Sequence, residues 1–300
     1  ASTNKVVRQF NIDHVVFALD GRSWRKDFYK PYKANRVVIE ADLTQAEIEE
    51  SELFWETYNS LIDYLRTKTN TSVLHQEKAE ADDIIARFVH LHPDDEIVIG
   101  SSDTDFDQLI SDKVSRYNGI TDELTTINGI FNGKGKPVID KKTKLQKTIG
   151  DPAFVLFQKC IRGDGTDNVF SAYPGVRLTG TKDSIGIIQA FEDRNNKGYA
   201  WNNFMLQAWV DHNKVEHRVR DDYERNRTLI DLTAQPDNIK KLVDESILAD
   251  LRLKPNSQVG VHFMKFCGKY DLQKLSENAT TYASWLSSEY TGALNVQPAN

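Results

Sequence analysis

Three short apolar runs, His14 to Leu19, Ser72 to His75 and Glu96 to Gly100, are each bounded by turn residues and separated by segments of helical period. Consecutive parallel strands need a crossover, and a helix is the usual one, so this alternation predicts successive βαβ units on a parallel sheet flanked by helices. After about Gly150 no strand pattern recurs. Asp151 to Ile161, Tyr199 to Asp211 and Arg218 to Leu229 have helical spacing and length, which predicts a helical second half. The chain reads as an α/β domain over residues 1–150, a smaller helical domain over 151–290 and a flexible tail over 291–300. Gly129 to Pro137 is the expected exposed, mobile connection.

A hydrophobic content of 39% over 300 residues is ample for a core. No apolar run approaches the roughly 18 to 20 residues of a membrane span, and Ala1 to Phe10 lack the apolar core of a signal peptide, so neither export nor a membrane partner is expected. Cys160 and Cys267 stand in neither metal-ligand nor redox spacing and are expected to be buried thiols. The net charge of −6 runs against nucleic-acid binding. Its distribution does not. Arg22, Arg25, Lys26, Lys30, Lys33 and Arg36 face the single acid Asp27, a local excess able to neutralise several phosphates. Tyr32 lies among these bases, as do Phe28 and Tyr29, and aromatics beside cations are the ingredients for stacking unpaired bases. A second basic run spans Lys134 to Lys147, and between the two the stretch from Glu40 to Glu56 is wholly acidic.

The carboxylates sit where an open α/β sheet binds its ligands, at the carboxyl ends of strands and at helix starts. Asp20 follows the first apolar run directly. Asp103 and Asp105 follow the third through Ser101-Ser102, and acids two apart at a strand end can point the same way. Glu80 and Asp83, with Asp82 between, share a face at a helix start; Asp164 and Asp167 repeat the spacing in a glycine-rich turn. Each pair alone is more often a helix cap or first-turn acid. Four such groups without His or Cys suit a hard, oxygen-preferring cation, Mg²⁺ with Mn²⁺ able to substitute. Two such ions can activate water on one side of a phosphodiester and stabilise the leaving oxygen on the other.

These segments together resemble the flap endonuclease or 5′-nuclease family, nearest its bacteriophage ribonuclease H branch, whose catalytic domain is PIN-like. Leu19-Asp20-Gly21 with Trp24 to Phe28 and Tyr32 to Arg36, Lys78 to Asp83, Ser101 to Leu109 and Gly163 to Val169 are similar to its metal motifs in the family's order. Weaker similarity continues in Asn226 to Leu232 and Gln235 to Ile239, so it covers most of residues 8–285. The resemblance implies a PIN-like α/β domain followed by a helical DNA-binding domain, with a basic arch segment at about residues 22–50. It implies 5′ to 3′ removal of RNA primers and cleavage of 5′ flaps in branched DNA and RNA–DNA hybrid. Lys33 and Arg36 would contact the scissile phosphate. A helical hairpin including Gly175, Gly180 and Lys182 would grip duplex backbone and could hold K⁺, although its wording departs from the family's glycine-rich pattern.

By the same resemblance the protein acts as a monomer in an infected bacterial cytoplasm, alongside a replication clamp or single-strand binding protein. The family's first metal-binding Asp lies on a strand upstream of Ala1, and Asp13 falls at the wrong end of its strand to replace it, so loose occupancy of the first metal site is expected. Two other readings stay open: a non-catalytic branched-DNA binding module, and a PIN-type ribonuclease acting on single-stranded RNA.

Overall fold

The computed structural model describes residues 2–36, 44–250 and 255–292. In chain order, α1 (Ser2–Phe10) leads to β1 (Val16–Leu19) and a short α2 (Arg25–Phe28); α3 (Gln45–Lys68) leads to β2 (Ser72–His75), and α4 (Ala81–Leu91) to β3 (Ile97–Gly100). A 3₁₀ turn at Thr104–Leu109 precedes β4 (Val114–Asn118), β5 (Glu123–Thr126) and β6 (Gly129–Asn132). Then come α5 (Pro152–Arg162), α6 (Ile187–Glu192), α7 (Tyr199–Met205), β7 (Ala208–Val210) and β8 (Glu216–Arg218). Helices α8 (Val219–Ile230), α9 (Asp237–Asp250), α10 (Val259–Lys269), α11 (Gln273–Ser276) and α12 (Ala279–Leu286) follow. The fold is mixed α/β. The three expected strands are present at their expected places, and no helix of the described residues is long and apolar enough to cross a membrane.

The chain forms two compact units, Ala1–Ser23 with Ile39–Asp95 and Asp237–Asn300, and Trp24–Val38 with Glu96–Pro236. In the first, β1 and β2 pair in parallel with Val16 opposite Ser72 and Leu19 opposite His75. Helix α3 makes that crossover, started by a capping box in which Thr44 accepts from the Glu47 N–H and Glu47 from the Thr44 N–H. Tyr64, Leu65 and Val73 share a core with Val259, Phe263, Cys267, Trp285 and Leu286. A bidentate pair between Arg87 of α4 and Asp244 of α9, both bonds 2.7 Å, adds to it.

In the second unit β3 and β4 are parallel, and β4, β5 and β6 form an antiparallel meander. Helix α5 starts on Asp151, whose side chain accepts from the Ala153 N–H, with Pro152 in the first turn, and stops at Gly163, whose φ of 75° is open to glycine at little cost. Its apolar face supplies Phe157 and Ile161 to a core with Ile187, Phe191, Phe204 and Val219, while Cys160 joins a neighbouring cluster with Tyr32, Val169, Leu229 and Ile230. Each such large side chain contributes roughly 1.5–3 kcal/mol on burial.

These units cut across the expected division at residue 150, because α9 to α12 pack on the core of the N-terminal strands. Strands also recur past Gly150, where Ala208–Val210 pairs with Glu216–Arg218; helix α7 ends at Met205, short of the helix expected to reach Asp211. Gly129 to Pro137 is no loose connection. It contains β6, and the Val138 N–H donates to Ile130 O at 2.9 Å. Residues 37–43 of the arch segment and 293–300 of the tail lie outside the described residues.

Two histidines of the first unit are held neutral by burial. His14 lies between Ser288 O and Ser72 Oγ, both at 3.0 Å, and desolvation lowers its pKa. His92, 1% exposed, stacks on Phe88 with Nδ1 bonded to Phe88 O, and desolvation lowers its pKa too. The unfolded chain takes up these protons near the ordinary value of 6.5, the folded chain only at lower pH. Their contribution to stability is therefore complete above about pH 6.5 and declines as the pH falls below it. The melting temperature should drop between pH 7 and pH 5.5, and a His92→Phe variant should show a shallower drop; equal slopes would remove His92 from the account.

Candidate active site

In the first unit β1 delivers Asp20 to the start of α4. Asp20 Oδ1 accepts from the Ala81 N–H at 2.9 Å, where a helix N-terminus favours negative charge. Glu80 is the N-cap residue of that helix; it is buried and accepts from Ser23 Oγ at 2.9 Å. Asp83 is fully buried, and its Oδ2 accepts from the Glu80 N–H at 3.1 Å. The Asp83 carboxylate thus closes a capping box with Glu80 and is shielded from solvent. Asp82 is half-buried on the same turn.

The loop carrying Asp20 is pressed against the segment before α4, with the Gly21 N–H on Ala79 O at 2.9 Å and the Arg22 N–H on Glu77 O at 2.8 Å. A Cβ at Gly21 would stand 2.1 Å from Gln76 O and 2.7 Å from Ala79 O. Gly21→Ala is expected to displace the Asp20 loop at a cost of about 1–3 kcal/mol. A denaturant midpoint equal to that of the parent protein would contradict this.

In the second unit Asp103 and Asp105 follow β3. Asp103 caps the 3₁₀ turn by accepting from the Asp105 N–H at 2.8 Å. Asp164 and Asp167 follow α5 in a turn closed by bonds between Asp164 and Val169, both N···O distances 2.8 Å. Lys159, five residues before Asp164 on α5, places its ammonium between Asp105 Oδ1 and Asp164 Oδ2, the latter at 2.9 Å. Burial raises the Asp105 pKa against the pull of Lys159, and Asp103 and Asp164 add to the rise. Burial also opposes charge on Asp164, but Lys159 and the N–H groups of Thr166 and Asp167 outweigh it and lower that pKa. Burial works against the charge on Lys159 as well, and the two carboxylates hold its pKa above the usual lysine value. Sequence reasoning missed Lys159; the signal was a cation near the end of a largely apolar helix, just ahead of an acidic turn.

The basic segment docks on the last acidic turn. The Lys33 N–H donates to Asp167 O at 2.9 Å, Tyr32 Oη to Asp167 Oδ2 at 3.1 Å, Arg36 Nη2 to Asp167 Oδ1 at 3.0 Å and Asn168 Nδ2 to Pro31 O at 2.8 Å. Lys33 Nζ lies 3.7 Å from Asp167 Oδ2, and its backbone sits at a φ of 53°, a sparsely populated region for lysine that these bonds hold in place.

Two expected DNA contacts are corrected here. Arg25 is 1% exposed and its Nε donates to Leu229 O at 2.8 Å, so it ties α2 to α8 and presents no charge to a ligand. Tyr32 is 4% exposed in the core beside Val169 and Leu229, and no base can stack on it. Arg22, Lys26 and Lys30 are exposed. Asp107 is buried in an ion pair with Arg116, Nε to Oδ1 2.6 Å.

Gly175, with a φ of 73°, and exposed Lys182 lie in turns between α5 and α6, and Gly180 donates its N–H to Gln189 Oε1 at 2.9 Å. Short helices α6 and α7 follow these turns.

Of the eight expected metal ligands, Asp20, Glu80, Asp82 and Asp83 belong to the first unit and Asp103, Asp105, Asp164 and Asp167 to the second. Among the described residues no three carboxylate, His or Cys side chains are grouped to hold an ion. The donor set is nonetheless carboxylate oxygen alone, and Asp105 and Asp164 already bracket one positive charge. A hard divalent cation fits that chemistry.

Residues 1–135 match the family model described as the 5′-3′ exonuclease, N-terminal resolvase-like domain. The flap endonuclease of Escherichia phage T5 is 28% identical over 180 residues, 59% of this chain and 55% of the relative. The ribonuclease H of Enterobacteria phage T4 is 25% identical over 276 residues, 87% of this chain and 78% of the relative. The crystal structure of the T5 D15 protein with metal ions has a similar fold, with a TM-score of 0.55 at 19% identity, over 83% of this chain and 89% of that one. The same phage protein has been crystallised with DNA and metal ions. The chain spans about half the length of the T5 flap endonuclease relative and less of another curated relative.

Proposed function

We propose that the chain, whose residues 1–135 match the model of the 5′-3′ exonuclease N-terminal, resolvase-like domain, is a metal-dependent, structure-specific 5′-nuclease. Its substrates are branched or flapped DNA and RNA–DNA hybrid, from which it removes 5′ flaps and RNA primers in a bacterial cytoplasm, as a monomer recruited by a clamp or single-strand binding protein. Asp20, Glu80, Asp82, Asp83, Asp103, Asp105, Asp164 and Asp167 would hold two Mg²⁺ ions, and the turns around Gly175, Gly180 and Lys182 would bind duplex backbone and K⁺. The observation that carries this reading is the Lys159 ammonium between Asp105 and Asp164, with Lys33 and Arg36 fastened to Asp167 three residues along the same turn.

Bound divalent ions would supply activated water and stabilise the departing oxygen. The chain's own residues do the rest. Asp105 and Asp164 set a negative field that attracts cations, and Lys159 neutralises part of it, so the acids stay together without mutual expulsion. Lys33 and Arg36 orient the scissile phosphate and meet charge that grows on its oxygens during cleavage. The hydrogen bonds from Tyr32 and the Lys33 backbone to Asp167 hold these cations in register with the acidic turn, which limits reorganisation.

The test is cleavage of a 5′-labelled flap with Mg²⁺, with Mn²⁺ and with chelator. Metal-dependent cutting near the junction supports the reading. Tight flap binding with no turnover at any metal concentration would replace it with a branched-DNA binding module. Indifference to the flap with rapid loss of unstructured RNA would replace it with a single-strand ribonuclease.

A further inference from the structure

The lysine-rich stretch after β6 has no part in the chemistry above. Lys134, Lys136, Lys141, Lys142, Lys144 and Lys147 face one acid, Asp140, in a chain whose net charge is −6. All six are exposed, and none is ion-paired among the described residues. The acid is already committed: Asp140 Oδ1 accepts from the N–H groups of Lys142 and Thr143, both at 2.8 Å. Over residues 134–147, six lysines against one aspartate leave an excess of five positive charges.

The backbone that carries it is ordered by hydrogen bonds. The first turn is tied by Asn132 Oδ1, which accepts from the Lys134 and Lys136 N–H groups at 3.0 and 3.1 Å, and passes through Gly135 at a φ of 71°. The second is closed by the Asp140 N–H on Leu145 O at 2.8 Å and the Lys144 N–H on Asp140 O at 3.0 Å. The chain between them is laced to β6 by the Val138 N–H on Ile130 O, and to the following segment by the Lys147 N–H on Val138 O at 2.8 Å. Two successive tight turns on a sheet edge thus each present lysines to solvent. Lysine is a point charge suited to phosphate oxygen.

We infer that the double turn at residues 132–147 is a second nucleic-acid contact that binds the phosphate backbone of duplex DNA. Duplex is favoured over single strand because the exposed side chains between the lysines are aliphatic, Ile139 at 49% and Leu145 at 69%, and provide no ring on which an unpaired base could stack. The contact reads no sequence; it adds affinity and register. The inference rests on the nuclease reading of the neighbouring site.

The test compares the full chain with Lys141→Gln, Lys142→Gln, Lys144→Asn, asparagine being chosen where φ is 60°. Binding of a labelled 20-mer blunt duplex and of labelled oligo(dT) is measured with chelator across salt concentrations. Duplex affinity is expected to fall at least about tenfold, with the salt slope reduced by about 2 to 3. The triple Lys→Arg variant should bind as the parent does. Flap cleavage at saturating substrate should keep its rate while KM rises.

An unchanged salt slope overturns the inference, as does a loss confined to oligo(dT). An equal loss in a control on the first unit, Lys240→Gln, Lys241→Gln, Lys274→Gln, also overturns it, because net charge alone would then explain the effect. If the parent protein binds duplex but cuts no flap, the nuclease reading fails while the contact stands; if it binds no DNA, both fail.

Discussion

Asp164→Asn should slow metal-dependent flap cleavage by about 1000-fold, the equivalent of roughly 4 kcal/mol of lost transition-state stabilisation. Asparagine has nearly the same shape and can still accept from the Thr166 N–H, bonded to Asp164 at 2.9 Å, so the turn should survive. What is lost is the charge. Lys159 would keep Asp105 as an anionic partner, and the pair that attracts a divalent ion would be halved. Asp105→Asn should behave alike. The readout is single-turnover cleavage of a pure preparation beside a melting curve. A parental rate with a parental melt would remove Asp164 from the metal assignment.

Lys33→Ala should reduce the cleavage rate constant by about 100-fold or more, since a cation aimed at developing charge acts mainly in the transition state. Flap affinity should weaken far less, and that split carries the argument. The Lys33 side chain is 13% exposed and 3.7 Å from Asp167, and the bond from its backbone N–H to Asp167 O persists in the alanine variant. The charge is thus removed while the turn is retained. Equal losses in rate and affinity would make Lys33 an anchor for the DNA backbone with no selective role in the reaction.

The strands that organise the site were legible because their apolar runs stand between turn residues: Val16–Leu19, Ser72–His75 and Ile97–Gly100 lie within a residue or two of their expected bounds. The acidic positions were legible from the same logic of strand ends and helix starts. The meander β4 to β6 was not. Its strands carry Ser115, Arg116, Glu123 and Thr125, and Arg116 is buried only because Asp107 neutralises it, a pairing no periodicity announces.

Arg25 and Tyr32 went astray for a related reason. In a basic run each looks solvent-facing, and it took Leu229 O to accept from the one and the Val169 cluster to enclose the other. Asp83 shows that a helix-start acid also serves its helix, being fully buried with a bond from the Glu80 N–H. The ion pairs of Lys159 depend on a helix and two loops converging, which lies beyond any local pattern.

The interleaving of the two units also orders their birth. The second is nearly continuous from Glu96 to Pro236, so a ribosome delivers most of it before α9 exists. The first cannot close until much later: His14 waits for Ser288, 274 residues on, and Tyr64, Leu65 and Val73 wait for Phe263 and Trp285. Contacts of such sequence separation form slowly because loop entropy is lost before they are gained. During synthesis, then, the β1–β2 half is a nascent segment with its apolar face bare, and chaperone occupancy of the growing chain should centre there.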